Sequence, residues 1–319
     1  LLPALLKHHG YQTAISGKLH FLPPEQEYSF DCFWSFSNEG PGKLQSWPQY
    51  MDAKHGKGSA RRLVPGSQPF PDDPLGKDLG ELPYPKEDSQ TFWITDRAID
   101  FFSQRDRQKP FFLFVSYLDP HSPSQLCEPY WSMYDAGSMP SPRIPESVKK
   151  QRAEAVRNDA RGGGRHLIDS EAMARALTAA YYAKVTMVDD NVGRLLQQVE
   201  SMGLSDDTII VFTADHGNML GDHGRWFKGV MYEGSSRIPL MIRAPRRSPF
   251  AAVFNRGKVV DEMVENIDVM PTLMEMIGKP LPSDRGFQGT SLVNLAAGKQ
   301  TSWKTAIFAE RGSMMIRTA

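Results

Sequence analysis

Within the segment Thr208–Lys228, TIIVFTADHGNMLGDHGRWFK, Asp215 and His216 place a carboxylate and an imidazole side by side. Oxygen and nitrogen donors in that arrangement suit one divalent metal ion. Alone, Asp-His-Gly also describes a tight turn capped by its own Asp. The setting favours a metal site, because the apolar β-branched run Ile209–Phe212 ends just before it. Such a run reads as a strand buried on both faces, and open α/β sheets take ligands beyond the carboxyl ends of their strands. Lys228 follows a loop punctuated by Gly217, Gly221 and Gly224, which can fold back toward the strand end.

Two earlier strands end in the same kind of chemistry. Tyr11 to Ser16 reads as a short strand followed by Gly17-Lys18-Leu19-His20. Gly17-Lys18 is not a phosphate-binding loop, since Gln12 stands where its first glycine belongs and Leu19 replaces the Ser or Thr. Phe111 to Tyr117 reads as a buried strand that runs into Asp119-Pro120-His121-Ser122-Pro123. The two prolines fix the backbone around His121, which suits a positioned side chain. A lone Lys or His after a strand is more often a surface residue than a ligand. Here three strand ends deliver Lys18, His20, His121, Asp215, His216 and Lys228. Lysines and a divalent metal stabilise a tetrahedral oxyanion, and a histidine exchanges a proton with an ester oxygen. The mix points to hydrolysis of a sulfate or phosphate ester, with the nucleophile still to be found.

The elements needed to hold these residues are legible. Leu2, Leu5 and Leu6 before Gly10 mark the end of a helix. Phe92 to Phe102 carries apolar residues at helical spacing, and Ser170 to Met202 is the clearest helix, with Val188, Val192, Leu195, Leu196 and Val199 on one face. Arg237 to Ile242 reads as a strand, and a helix runs from an N-cap at Asp268 to Ile277 before Gly278. Alternating strands and helices predict an α/β fold with a mostly parallel central sheet and helices on both faces. Residues 23–90 and 132–168 read as loop-rich inserts near the pocket. In the first of them, Tyr28, Phe30, Phe33, Trp34, Phe36 and Trp47 form a satellite cluster packing a long loop.

Composition narrows the alternatives. The 319 residues are 40% hydrophobic and 23% charged, ordinary for a globular chain. Net charge is zero, which argues against a general nucleic-acid binder. No apolar run reaches the roughly 18 residues of a membrane helix. Cys32 and Cys127 allow one disulfide. The chain starts without methionine and stops inside a strand pattern, so the expectation is one catalytic domain, 1–319, truncated at both ends.

The sequence resembles the sulfatase family of the alkaline phosphatase superfamily. The likeness is carried, in the family's order, by residues 10–20 (GYQTAISGKLH), 111–123 (FFLFVSYLDPHSP), 179–229 (AAYYAKVTMVDDNVGRLLQQVESMGLSDDTIIVFTADHGNMLGDHGRWFKG) and 236–245 (SRIPLMIRAP). The resemblance implies that Asp215 and His216 bind a divalent metal, calcium above all, with Mn2+ or Mg2+ as alternatives. It makes Lys18 and Lys228 ligands of the sulfate oxygens. His121 and Lys228 would serve the leaving group, with His121 the proton donor, and His20 would act as base when the sulfated intermediate breaks down. Many members have Asn where this chain has His216; the Asp-His form occurs among sulfatases and among phosphonate monoester and phosphodiester hydrolases.

The family's nucleophile is a formylglycine made from Cys or Ser in C/S-x-P-S/A-R, with an earlier Asp-Asp pair completing the metal site. Cys127-Glu128-Pro129 has Trp131 in place of the arginine, and Ser138-Met139-Pro140-Ser141 has Pro142. Both stand after GYQTAISGKLH, the wrong side for the nucleophile, which is therefore expected upstream of Leu1. The fragment alone is then expected to be inactive. The implied partners are a small-molecule or carbohydrate sulfate ester (choline sulfate, an aryl sulfate or a sulfated sugar) and a formylglycine-generating or maturation enzyme. The competing functions are phosphonate monoester or phosphodiester hydrolysis, and non-catalytic binding of sulfated glycans.

Overall fold

Short apolar strands in the first part of the chain assemble as the sequence predicts, into a parallel sheet. The computed structural model describes residues 2–19, 28–35, 45–60, 79–150, 171–254, 257–283, 286–299, 302–310 and 314–318. They fall into two units, Leu1–Gln198 and Val199–Ala319.

In the first unit the strands are β1 (Gln12–Gly17), β2 (Cys32–Ser35), β3 (Gln45–Ser46), β4 (Leu79–Glu81), β5 (Phe111–Ser116) and β6 (Ser124–Leu126). β1 is central: β2 and β5 flank it in parallel register, and the sheet order is β3-β2-β1-β5. β4 and β6 form a separate parallel pair. From Thr13 to Gly17 every residue of β1 is buried. β5 departs from expectation, being only half-buried with Phe114 exposed. Its one described partner is β1, so it is the edge of this sheet.

Helix α1 (Leu2–His8) leads into β1, as its leucine spacing implies. Helix α2 (Trp47–His55) lies where the sequence reads as loop. Ser46 and Gln49 form its capping box, which satisfies two otherwise orphaned N–H groups. α2 is tied to the following segment by the buried Asp88, whose carboxylate accepts from Tyr50 Oη and Lys54 Nζ at 2.5 Å each and pairs with His55 Nε2 at 2.8 Å. Trp47 Nε1 donates to the Asp88 carbonyl. Phe33 and Trp34 are buried in β2 of the main sheet and Trp47 at the start of α2, so they pack a strand and a helix and not a long loop; Phe36 lies outside the described residues.

Helix α3 (Gln90–Gln104), capped by Ser89, packs on β1 and β5 and buries Trp93, Ile94, Phe101 and Phe102. Each such side chain contributes about 1.5–3 kcal/mol on leaving water. Helix α4 (Glu171–Ser201) matches the predicted span, but its buried face is not centred where the apolar spacing put it. Leu177, Ala180, Ala183, Lys184, Met187 and Asn191 are buried; of the predicted face Val199 is buried, whereas Val188, Val192, Leu195 and Leu196 are half-buried. Small residues let the helix approach β6 and α3, where Ala180, Ala183 and Met187 join Phe92, Leu126 and Tyr130 in one cluster. Cys32 and Cys127 are free thiols, so the allowed disulfide is not formed.

The second unit contains β7 (Ile210–Thr213), α5 (Glu233–Ser236), β8 (Leu240–Arg243), α6 (Val269–Met276), α7 (Val293–Ala296), β9 (Ala306–Glu310) and β10 (Met314–Thr318). β7 pairs with β8 antiparallel and is half-buried rather than enclosed on both faces. β9 and β10 are also antiparallel, so among the described residues the parallel pairing lies in the first unit. Asp268 precedes α6 as expected but does not cap it. Its carboxylate instead accepts from the Glu265 and Thr290 N–H groups and pairs with Lys304 at 2.7 Å. Among the described residues no helix is long and apolar enough to cross a membrane.

Candidate active site

In the first unit, two of the predicted residues leave adjacent strand ends. Gly17 closes β1 at φ +120°, and a Cβ there would lie 1.9 Å from the Ser116 carbonyl oxygen. Only glycine permits β1 and β5 to finish so close together. The next N–H, that of Lys18, donates to the same oxygen at 2.8 Å. Lys18 is thus held, half-buried, beside the point where Tyr117 to Pro123 leave β5. His20 lies outside the described residues.

His121 is half-buried in that departing loop. Its N–H donates to the Leu118 carbonyl at 3.0 Å, and its Nδ1 lies 2.7 Å from the Ser122 carbonyl oxygen. A carbonyl only accepts, so the contact assigns a proton to Nδ1. His121 borders a cavity of about 140 Å³ together with Trp47, Tyr84, Asp119, Gln125 and Lys184. Cys127 also lines it, but the thiol is buried, and burial pushes its pKa up to about 12. A neutral, enclosed thiol is a poor nucleophile, in accord with the chance nature of the Cys127-Glu128-Pro129 match.

In the second unit, the loop after β7 folds back as its glycines allow. Gly217 is held by its N–H to the Ser235 carbonyl at 2.8 Å, and a Cβ would stand 2.2 Å from the Gly234 carbonyl oxygen. Met219 N–H donates to the Phe227 carbonyl at 2.8 Å, and Phe227 N–H donates to Asn218 Oδ1 at 3.1 Å. Buried Met219 and Trp226 anchor the two sides of the loop. The chain therefore returns to Asn218 and Met219 immediately before Lys228. Asn218, which clasps the loop, is a residue that motif reading passes over.

Asp215 is exposed, and its Oδ1 accepts the His216 N–H at 3.0 Å, so the capped-turn element is present. The other carboxylate oxygen, Oδ2, lies 3.5 Å from His216 Nε2.

A family model described as Sulfatase matches residues 1–279. The chain belongs to the sulfatase family. It is 31% identical over 317 residues to an arylsulfatase of Clostridium perfringens, covering 94% of this chain and 63% of that protein. It is 35% identical over 241 residues to the multifunctional alkaline phosphatase superfamily protein PehA of Trinickia caryophylli, covering 71% of this chain and 45% of that one. A phosphonate monoester hydrolase from Silicibacter pomeroyi, SpPMH, shares the fold with a TM-score of 0.73 at 24% identity, over 97% of this chain and 63% of that one. The chain thus spans less than two thirds of these relatives.

Sulfatases use a divalent metal, and the Asp215–His216 pair fits one. The 3.5 Å between Oδ2 and Nε2 is close to the separation of two donors each about 2.0–2.5 Å from one ion. His216 Nδ1 lies 2.9 Å from the Gly217 carbonyl oxygen, the second contact that metal-bound histidines make to fix ring and tautomer. Among the described residues no third carboxylate, imidazole or thiolate joins them in a group. The structure thus sets Lys18 and His121 at neighbouring strand ends of one unit, and Asp215, His216 and Lys228 around one loop of the other.

Proposed function

We propose that the protein is a sulfuric ester hydrolase that cleaves sulfate monoesters through a formylglycine carried on residues N-terminal to Leu1. The observation that supports this reading is that the family match, residues 1–279, takes in Lys18, His20, His121, Asp215, His216 and Lys228. Residues 1–319 are proposed to form one catalytic domain, with 23–90 and 132–168 shaping the rim of its pocket.

Lys18 and Lys228 bind the sulfuryl oxygens and offset charge that grows on them as the ester S–O bond breaks. His121 gives its Nε2 proton to the departing oxygen, which keeps the electron pair of that bond. His20 takes a proton when sulfate is released and the nucleophile is restored. Asp215 and His216 hold the metal, proposed as Ca2+. Held there, such an ion would supply positive charge to offset that of the sulfuryl group.

A second reading, phosphonate monoester or phosphodiester hydrolysis, is supported by the Asp215-His216 form of the site and by the fold shared with the phosphonate monoester hydrolase SpPMH. Side-by-side rates of the full-length protein on aryl sulfates and aryl phosphonate monoesters separate the two. Faster sulfate turnover is expected. A preference for the phosphonate by tenfold or more would replace the first reading with the second.

A further inference from the structure

The loop that carries His121 is held from beneath by a buried lysine to which the sequence reading gives no role. Lys184 stands on the inward face of α4, its side chain only 5% exposed. Its ammonium meets Asp119 Oδ1 at 2.6 Å and donates to the carbonyl oxygens of His121 at 2.9 Å and Pro123 at 2.5 Å. An ammonium has three protons, and three acceptors of one five-residue loop take them. The loop is gripped from α3 as well, since Thr91 Oγ1 donates to Asp119 Oδ2 at 2.5 Å.

Taking a lysine out of water is unfavourable unless its charge is paired and its donors are satisfied. A helix that needed only to pack could carry Ala or Met at this position, as it does at Ala180, Ala183 and Met187. Here the charge is spent on the backbone on both sides of the His121 ring. Lys184 bonds the His121 carbonyl itself, so a movement of the ammonium moves the ring.

We propose that Lys184 is a positioning residue. Through Asp119 and the His121 and Pro123 carbonyls it fixes the place from which His121 protonates the leaving group. The proposal rests on the reading of His121 as proton donor given above, and the test separates the two. Protonation matters most for poor leaving groups, so loss of the donor is felt more on phenyl sulfate than on 4-nitrophenyl sulfate. The experiment uses the full-length protein and kcat/KM, which reports the step that breaks the leaving-group bond. Lys184→Met, Thr91→Val and His121→Ala are compared with the parent on both esters.

His121→Ala is expected to lose about 10²-fold or more on phenyl sulfate and much less on the nitrophenyl ester. Lys184→Met should show the same tilt, because a small misplacement of a catalytic group costs about as much as its removal. Thr91→Val, the milder change, should show it in smaller measure and serves if Lys184→Met does not fold. A steep response for His121→Ala with a uniform loss for the other two overturns the positioning role and leaves the His121 reading intact. A uniform loss for His121→Ala itself overturns the reading of His121, and the positioning role with it.

Discussion

The side-chain oxygen of Asn218 accepts the backbone N–H of Phe227 at 3.1 Å, closing a loop whose next residue is Lys228. The same oxygen accepts the Leu220 N–H at 3.1 Å, and both Leu220 and Phe227 hold positive φ. One acceptor thus secures two strained residues. Asn218→Ala leaves two N–H groups to water and should lower unfolding stability by about 1–3 kcal/mol. It should also lower kcat/KM of the full-length protein by about 10-fold or more, by loosening Lys228. Asn218→Asp keeps the acceptor and should retain most of both. Parent-like stability and rate in Asn218→Ala would show that the clasp does not hold Lys228.

Gly17→Ala tests the close approach of β1 and β5. The added methyl meets the Ser116 carbonyl oxygen, and φ +120° is a strained angle for an L-residue. Backbone has to move, and a loss of at least about 3 kcal/mol is expected in denaturant unfolding. Gly193→Ala is the control, a helical position with open space around the new methyl. There a gain of about 0.5–1 kcal/mol is expected. Equal effects of the two substitutions would contradict the packing described for Gly17.

The strand ends were legible because each is a local pattern: an apolar run, then Gly-Lys, Pro-His-Ser-Pro or Asp-His-Gly. Helix α2 was equally local, since Ser46-Trp47-Pro48-Gln49 is a capping box with proline in the first turn, but the surrounding Pro and Gly residues hid it. The antiparallel pairing of β7 with β8 was not legible, since both strands are apolar runs that serve either direction. Lys184 was hidden for a different reason. Its carbonyl acceptors lie 61 and 63 residues away and Asp119 lies farther still, and nothing within Tyr181-Tyr182-Ala183-Lys184-Val185 distinguishes a buried ammonium from an exposed one. The depth of burial of β5 and α4 was not legible either, because an apolar pattern marks a face and the neighbours decide how deeply it is covered.

Asp88 gives the fold a dependence on acid. Burial opposes its charge, but hydrogen bonds from Lys54, Tyr50 and His55 outweigh that and hold its pKa below the ordinary 3.8. A carboxyl depressed by folding stabilises the native state above its unfolded pKa, and that contribution is lost as pH falls through the folded value. Asp88→Asn should therefore lose about 2 kcal/mol at neutral pH, the scale of charged hydrogen bonds. The gap between parent and variant should narrow as pH drops below 3.8. Denaturant unfolding at a series of pH values reads this directly. A gap that stays constant into acid would mean that the carboxylate charge contributes nothing.

The proposed metal binding by Asp215 and His216 can be tested without turnover. Ca2+ that binds the native protein and not the unfolded chain raises stability by about 2.7 kcal/mol at 100 times its dissociation constant. A rise in Tm of the full-length protein on adding Ca2+, reversed by a chelator, is therefore expected. Asp215→Ala removes the Oδ2 that lies 3.5 Å from His216 Nε2, so the rise should shrink sharply. His216→Ala should do the same. Lys18→Ala, which removes a proposed oxyanion ligand and no proposed metal ligand, should keep the rise while losing activity. Repeating the titration with Mn2+ and Mg2+ identifies the preferred ion. An undiminished Ca2+ response in both Asp215→Ala and His216→Ala would place the metal elsewhere and return Asp-His-Gly to the simple capped turn that its Oδ1 contact already makes.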